Sequence, residues 1–163
     1  GYLTLGDSMT YSTYGYLITA LREIYPQLRH RTYAGITSFA AIAAHFDWPI
    51  GEGKERVLLL PCPEKMPALR ADILTHDLVV LIKIGRRLPQ VLALLEELGI
   101  TENCVFAQRL GFTEERTSRG LADLPKDAAT GYLSTMLIRR EAHQPRHQLP
   151  IRPLGETLSE ATG

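Results

Sequence analysis

The segment Tyr2-Leu3-Thr4-Leu5-Gly6-Asp7-Ser8-Met9-Thr10-Tyr11-Ser12 decides how the rest of the chain is interpreted. Its apolar residues give way to a Gly-Asp pair, small polar residues follow, and a helical pattern then begins. This order predicts a strand that ends and turns into a helix, and ligands of α/β sheets bind at such strand ends. Gly6 allows a sharp turn or a close approach to a ligand. Asp7, Ser8 or Ser12 is expected to cap the helix. A plain strand-turn-helix with no ligand is an equal alternative.

Composition sets the outer limits of the interpretation. The chain has 163 residues, with 18 basic and 18 acidic side chains and a formal net charge of zero. This length suits one domain or two small lobes. The charge balance gives no reason to expect nucleic acid or a membrane surface as a partner, and no apolar run is long enough to span a bilayer. No signal peptide pattern is visible, and the use of the two cysteines fits a reducing cytoplasm, where the protein is expected.

Cysteines and histidines give no indication of a metal site. Cys62 and Cys104 lie far apart in the sequence, and the five histidines share no metal-ligand spacing. The two thiols are expected to be small core residues in a reducing compartment. No metal is therefore predicted.

Hydrophobic periodicity predicts alternating helices and strands. Helical spacing covers residues 12–25, 39–46, 67–75 and 88–98, and strand-like patterns cover 2–5, 28–33, 56–61, 78–84, 104–107, a short stretch from 114, and 132–138. Thr37 or Ser38 is expected to cap the second helix. The alternation predicts an α/β protein. Polar residues and glycines near 48–55 indicate a lobe boundary, and the proline-containing tail 143–163 is expected to be disordered.

Candidate chemistry is concentrated in three small, polar turns around Gly6, Gly35 and Gly85. Turns of this kind suit a ligand that is held by backbone groups. There is no Gly-x-Ser-x-Gly elbow and no phosphate-binding P-loop, and Asp7 is interpreted as a helix cap in preference to a general base. No catalytic side chain is predicted, which suggests group transfer from a cofactor that is already reactive. Arg86 and Arg87 follow the third turn; they either meet an anionic ligand or form a solvated pair at a helix start.

Several segments, in the same order along the chain, resemble motifs of one enzyme family. Residues Leu5 to Tyr14 resemble the Gly-Asp-Pro segment of the tetrapyrrole methylases, the class III methyltransferases that use S-adenosylmethionine. Ala34-Gly35-Ile36-Thr37-Ser38 resembles the Pro-Gly-Ile-Thr-Ser turn of that family. The further similar segments are Gly51 to Arg56, Val80 to Arg86 and Tyr132 to Thr135. The likeness runs to about residue 140 and is greatest to the group that methylates carbon 20 of precorrin-2 in cobalamin synthesis.

The resemblance implies an α/β fold of two lobes with S-adenosylmethionine in the cleft between them. Residues 1–36 would then be the C-terminal part of the first lobe, and residues 37–142 the second lobe. The implied activity is methyl transfer to carbon 20 of precorrin-2 or its cobalt-containing counterpart. A tetrapyrrole is the implied small-molecule substrate, and a homodimer is the implied assembly.

The resemblance also assigns the cofactor contacts. They would come from the three turns and from the second lobe: Gly6, Asp7, Thr10, Thr37, Ser38, Ile84, Leu110, Tyr132, Leu133 and Ser134. Arg86 and Arg87 are expected to bind the acetate and propionate groups of the substrate; this assignment comes from their charge and position and is not a family motif.

Departures from the family pattern leave alternatives open. The Gly-x-Gly-Pro-Gly-Asp motif that opens the family's sequences is not found here, so the chain is expected to correspond to the C-terminal two-thirds of such an enzyme. Ser8 and Ala34 stand where the family has prolines, and both allow the backbone more freedom than proline does. The alternatives are a sister methylase acting at another ring position, and a noncatalytic α/β module that binds a tetrapyrrole or a protein.

Overall fold

A computed structural model describes residues 1–122, 124 and 131–142 of the chain. Its centre is a five-stranded sheet in the order β1-β2-β5-β3-β4. The strands are β1 (Val57–Pro61), β2 (Leu78–Ile82), β3 (Cys104–Gln108), β4 (Arg116–Arg119) and β5 (Ser134–Arg139). The helices are α1 (Tyr14–Ile24), α2 (Ser38–His45), α3 (Met66–Thr75) and α4 (Leu88–Leu98), and a short 3-10 helix spans Gly85–Arg87. The α/β class predicted from the sequence is confirmed.

Strand direction decides which ends of the sheet meet. β1 and β2 are parallel, whereas β5 runs antiparallel to both of its neighbours, β2 and β3. The carboxyl ends of β2 and β3 therefore lie at the same edge as the start of β5. The register places Ile82 opposite Thr135, and Gln108 opposite Ser134.

The sheet is covered on both faces. Alternate residues of its central strands point to opposite faces, so each strand contributes to two clusters. Val79 and Leu81 join a cluster with α3 and α4, whereas Leu78 and Val80 pack with α2 and Trp48. Every residue of β2, β3 and β5 is buried. Burial on both faces explains why β2 is a continuous apolar run and why the middle residues of β3 and β5 are apolar as well.

The far end of β5 fixes the connection that precedes β1. Arg139 is 3% exposed and donates to the Glu55 carboxylate at 2.7 Å and to the Pro49 carbonyl at 2.7 Å. A buried guanidinium requires such partners, since an unpaired buried charge costs several kcal/mol. The segment near residues 48–55, predicted as a lobe boundary, is thus attached to the sheet.

The strands predicted at residues 2–5 and 28–33 are wrong. Among the described residues, α1 is the first regular element, and neither stretch forms a strand. Alternation of apolar and polar residues is typical of a half-exposed extended chain and does not by itself show that the chain pairs as a strand. A strand also requires a neighbour whose backbone completes the hydrogen bonds.

The predicted cap of α2 is confirmed, whereas the predicted capping of α1 by Asp7 is not. The Thr37 hydroxyl accepts a hydrogen bond from the Ala40 amide at 3.3 Å, which confirms the predicted cap of α2. Asp7 lies well before α1 and does not cap it; the Ser12 hydroxyl accepts instead from the Tyr14 amide at 3.2 Å.

Both predicted core thiols are confirmed as buried and free. The tail 143–163, expected to be disordered, lies outside the described residues.

No helix within the described residues has both the length and the apolar character needed to cross a membrane.

Candidate functional site

A cavity of about 660 Å³ lies at the edge of the sheet where β2 and β3 end and β5 begins. Its volume is within the usual range for small-molecule and cofactor sites. The floor comes from strand ends, one side comes from the start of α2, and the remaining wall comes from the loop that contains Gly6. Three parts of the chain that are far apart in sequence therefore meet around one space.

The Asp7 carboxylate joins the first two predicted turns. It accepts hydrogen bonds from the Gly35 amide at 2.9 Å, the Met9 amide at 3.0 Å and the Thr10 hydroxyl at 2.8 Å. These bonds, the one from Gly35 foremost, lower the pKa of Asp7 below its ordinary value of 3.8 because they stabilise the carboxylate. Asp7 is thus a loop anchor, and the predicted helix-capping role is wrong.

Glycine is required where these two turns touch. A Cβ atom on Gly35 would lie 2.2 Å from the Gly6 carbonyl oxygen, a distance that real structures do not tolerate. Gly6 itself has a φ of +71°, in the left-handed region that glycine adopts without strain. Both glycines are therefore needed for the turns to pack together beside the cavity.

A second close approach occurs at the other side of the cavity. A Cβ atom on Gly131 would lie 1.7 Å from the Gly85 carbonyl oxygen. Residues 131–133 are further held by hydrogen bonds from the Gln108 side chain to the Tyr132 carbonyl at 2.8 Å, and from the Arg109 amide to the Leu133 carbonyl at 3.1 Å. This wall of the cavity is consequently fixed in place by the sheet.

Backbone strain is concentrated at the cavity. Five non-glycine residues of the described chain have a left-handed φ, and four of them line the cavity: Tyr11, Lys83, Arg109 and Leu133. Such a conformation costs about 1 to 3 kcal/mol at each non-glycine residue and is typical of functional sites. At Lys83, where φ is +54°, it ends β2 and turns the following residues away from the strand direction.

The cavity contains most of the residues assigned from the resemblance. Nine of the ten predicted cofactor contacts line it: Gly6, Asp7, Thr10, Thr37, Ser38, Leu110, Tyr132, Leu133 and Ser134. The exception is Ile84, which is fully buried in the cluster with α3 and α4. Since the backbone turns at Lys83, Ile82 faces the cavity and Ile84 packs on the opposite side of the sheet. The sequence pattern showed only that this stretch is apolar and did not reveal the turn.

Arg86 and Arg87 do not line the cavity. Arg86 is exposed on the 3-10 turn, and Arg87 is half-buried with a buried Nε that has no partner within the described structure. Lys83 and Arg109 are the basic residues that do line it. Sequence reasoning missed both, although each directly follows a buried strand; their position at the strand ends was the available signal.

Thiol chemistry does not contribute to this site. Burial raises the pKa of Cys62, an effect only partly opposed by Arg87, and burial together with the Glu102 charge raises the pKa of Cys104 to about 12. Both thiols are therefore protonated and unreactive at neutral pH. Neither lines the cavity.

The comparisons with known proteins identify the class. Residues 1–125 match the model of the tetrapyrrole (corrin/porphyrin) methylases, and the chain belongs to this family. The resemblance found in the sequence motifs is thereby confirmed.

One similar protein is the cobalt-precorrin-2 C(20)-methyltransferase of Salmonella typhimurium. It is 29% identical over 146 residues, which are 86% of this chain and 58% of the relative. The chain thus spans less than two thirds of the length of this relative.

Solved structures show the same fold. A cobalt precorrin-4 methyltransferase, described as a cobalamin biosynthetic enzyme, superposes with a TM-score of 0.57 at 18% identity, covering 82% of this chain and 61% of that one. The uroporphyrin-III C-methyl transferase of Thermus thermophilus, complexed with S-adenosyl homocysteine, superposes with a TM-score of 0.52 at 17% identity, covering 82% and 62%.

Proposed function

We propose that this chain takes part in S-adenosylmethionine-dependent methyl transfer to carbon 20 of precorrin-2, or of its cobalt-containing form, in cobalamin biosynthesis. The observation that carries the proposal is the convergence of the three small turns around Gly6, Gly35 and Gly85 on one cavity of about 660 Å³. The similarity to a cobalt-precorrin-2 C(20)-methyltransferase supports the choice of substrate and ring position. Family membership supports the reaction class.

The lining suits the cofactor because it combines apolar walls, backbone that a ligand can approach closely, and hydroxyl groups that can still donate or accept a hydrogen bond. Thr10 donates its proton to Asp7 and keeps acceptor capacity, whereas Thr37 accepts from Ala40 and keeps a proton to donate. Leu110 and Leu133 provide apolar surface for a purine or an aliphatic chain. Ile84 lies outside the cavity and would act only through its packing in the core.

When bound, S-adenosylmethionine supplies a methyl group that is already activated on a sulfonium, so the protein needs no nucleophile of its own. The residues of this chain would bind and orient. The Asp7 anchor holds Gly6 against Gly35, the start of α2 presents Thr37 and Ser38, and the sheet fixes residues 131–133. Rigid positioning of this kind is a large part of catalysis when both reactants are intrinsically reactive.

The assembly and the substrate contacts form part of the same proposal. Residues 1–36 belong to one lobe and residues 37–142 to a second, and the protein acts as a cytoplasmic homodimer. Arg86 and Arg87 contact carboxylates of the substrate where it extends beyond the cavity. Support for this contact is the position of both next to Gly85, which lines the cavity.

Calorimetric titration with S-adenosylhomocysteine tests the cofactor part of the proposal. The native chain is expected to bind it. An Ala107→Leu variant, which fills the cavity floor, is expected to bind at least about tenfold more weakly. Ala68→Leu makes the same change on the exposed face of α3 and should leave the affinity unchanged. A folded native chain that shows no binding would contradict a methyltransferase role for this chain.

Ring position is tested separately by incubating the chain with the cofactor and precorrin-2. A mass gain of one methyl group, located at carbon 20 by carbon-13 labelling, is expected. Methylation at another carbon would identify a sister methylase. Tetrapyrrole binding without cofactor binding would favour the noncatalytic module.

A further inference from the structure

Two basic side chains stand at the mouth of the cavity, one after each of two strands. Lys83 follows β2 and Arg109 follows β3. β5 lies between these strands, so the two positions are separated by two strand spacings, about 10 Å at the backbone. Both residues line the same cavity.

The charges of the lining are not balanced. Its charged residues within the described structure are Asp7, Lys83 and Arg109. The Asp7 carboxylate is engaged by Gly35, Met9 and Thr10 and belongs to the loop anchor. The cavity mouth therefore presents two cations without an acidic group of the lining available to pair with them.

Existing contacts leave both cations open to a ligand. The Lys83 ammonium lies 5.8 Å from the centre of the Tyr11 ring, a weak cation–π contact that a carboxylate can replace. An Arg109 Nη1 atom lies 3.6 Å from the carboxylate of Glu114, whose side chain is 66% exposed. Such an exposed and loose ion pair contributes little.

The backbone holds these two side chains at the site in a strained conformation. The φ angles are +54° at Lys83 and +50° at Arg109. Strain at two equivalent strand ends, each occupied by a cation, indicates that the position of the cation matters.

We propose that Lys83 and Arg109 form a two-point carboxylate clamp that selects a tetrapyrrole carrying carboxylates on separate side chains. This inference rests on the proposed function and adds to it the residues that recognise the substrate. Because the backbones of Lys83 and Arg109 are about 10 Å apart, acetate and propionate groups on different rings of one macrocycle can each meet one of the two cations. The clamp thus favours carboxylate-rich over carboxylate-poor tetrapyrroles.

The test is fluorescence titration of the whole chain with uroporphyrin and with protoporphyrin, which has fewer carboxylates. Lys83→Gln and Arg109→Gln are each expected to weaken uroporphyrin binding about tenfold, the double variant about a hundredfold, and the double variant should lose the preference for uroporphyrin. Lys83→Arg and Arg109→Lys should retain most of the affinity. Lys54→Gln, an exposed lysine in the segment that precedes β1, is the matched control.

Three readouts separate the possible results. Thermal melting confirms that each variant is folded, and S-adenosylhomocysteine affinity is measured in the same variants because both residues line the cavity assigned to the cofactor. A loss of S-adenosylhomocysteine affinity as large as the loss of uroporphyrin affinity would assign the two cations to the cofactor and overturn the clamp. Uroporphyrin affinity that is unchanged in both Gln variants, or that falls only in Arg86→Gln or Arg87→Gln, would overturn the clamp while the proposed function stands. If the native chain does not bind S-adenosylhomocysteine but binds uroporphyrin more tightly than the Gln variants do, the result would contradict the proposed function and leave the clamp supported.

Discussion

The first 37 residues and the sheet that follows contain similar sequence patterns but reach different structures. Among the residues that the structure describes, ten of the 15 exposed large apolar side chains lie within the first 36 residues, Leu3 being 94% exposed. In β2, by contrast, all five residues are buried. Apolar character alone therefore does not make a core; a segment becomes buried only where other elements cover it.

The two regions also differ in how their backbones are satisfied. β2 pairs along its whole length with β1 and β5. Within the described structure, the amide groups of residues 29–34 donate no hydrogen bond to the protein. The stability of the molecule is consequently expected to reside in the sheet, whereas the Asp7 anchor joins two turns of the N-terminal segment to each other.

Hydrogen exchange should show the largest difference between the regions. Amides of β2, β3 and β5 are expected to exchange at least about a thousandfold more slowly than free amides, since they open only with the global fold. Amides of residues 29–34 should exchange within about tenfold of the free rate. Mass spectrometry after timed labelling measures both. Strong protection of residues 29–34 in the isolated chain would show that the segment is paired, and the comparison would fail.

A matched pair of leucine truncations sharpens the comparison in energy. Leu81→Ala removes a fully buried side chain of β2 and is expected to lower the free energy of unfolding by about 2 to 5 kcal/mol. Leu3→Ala makes the same chemical change at an exposed position and should alter it by no more than about 0.5 kcal/mol. Urea denaturation followed by circular dichroism measures both. Equal losses would mean that Leu3 is buried in solution.

The smallest expected effect concerns the connection between the two turns. The folded pKa of Asp7 lies below its ordinary value, so its contribution to the anchor is fully present above that ordinary value and is lost as the pH falls through the folded pKa. The Gly35 amide resonance should shift with that titration, as followed by proton–nitrogen NMR. Asp7→Asn should abolish the shift. If the chemical shift of the Gly35 amide does not change with pH in the native chain, the anchor is absent.

Sequence reasoning was most successful where burial leaves a simple pattern. The long apolar run at 78–84, the helix at 88–98 and the cap at Thr37 were all placed correctly or within two residues. The three small turns were singled out by their glycines and small polar residues, although only the turn at Gly85 follows a strand in the structure. Turning points such as Lys83 could not be foreseen, since a lysine with a left-handed backbone has no sequence signature.

The sequence by itself determined the α/β class, the family and nine of the residues that come to line the cavity, because these depend on local periodicity and on motifs in a fixed order. Only the tertiary structure decided which of them share one space. It moved Ile84 into the core, set Arg86 and Arg87 outside the cavity, and brought Lys83 and Arg109 to its mouth. The physical reason is that strand order and backbone turns are set by long-range pairing, to which no single segment of sequence has access.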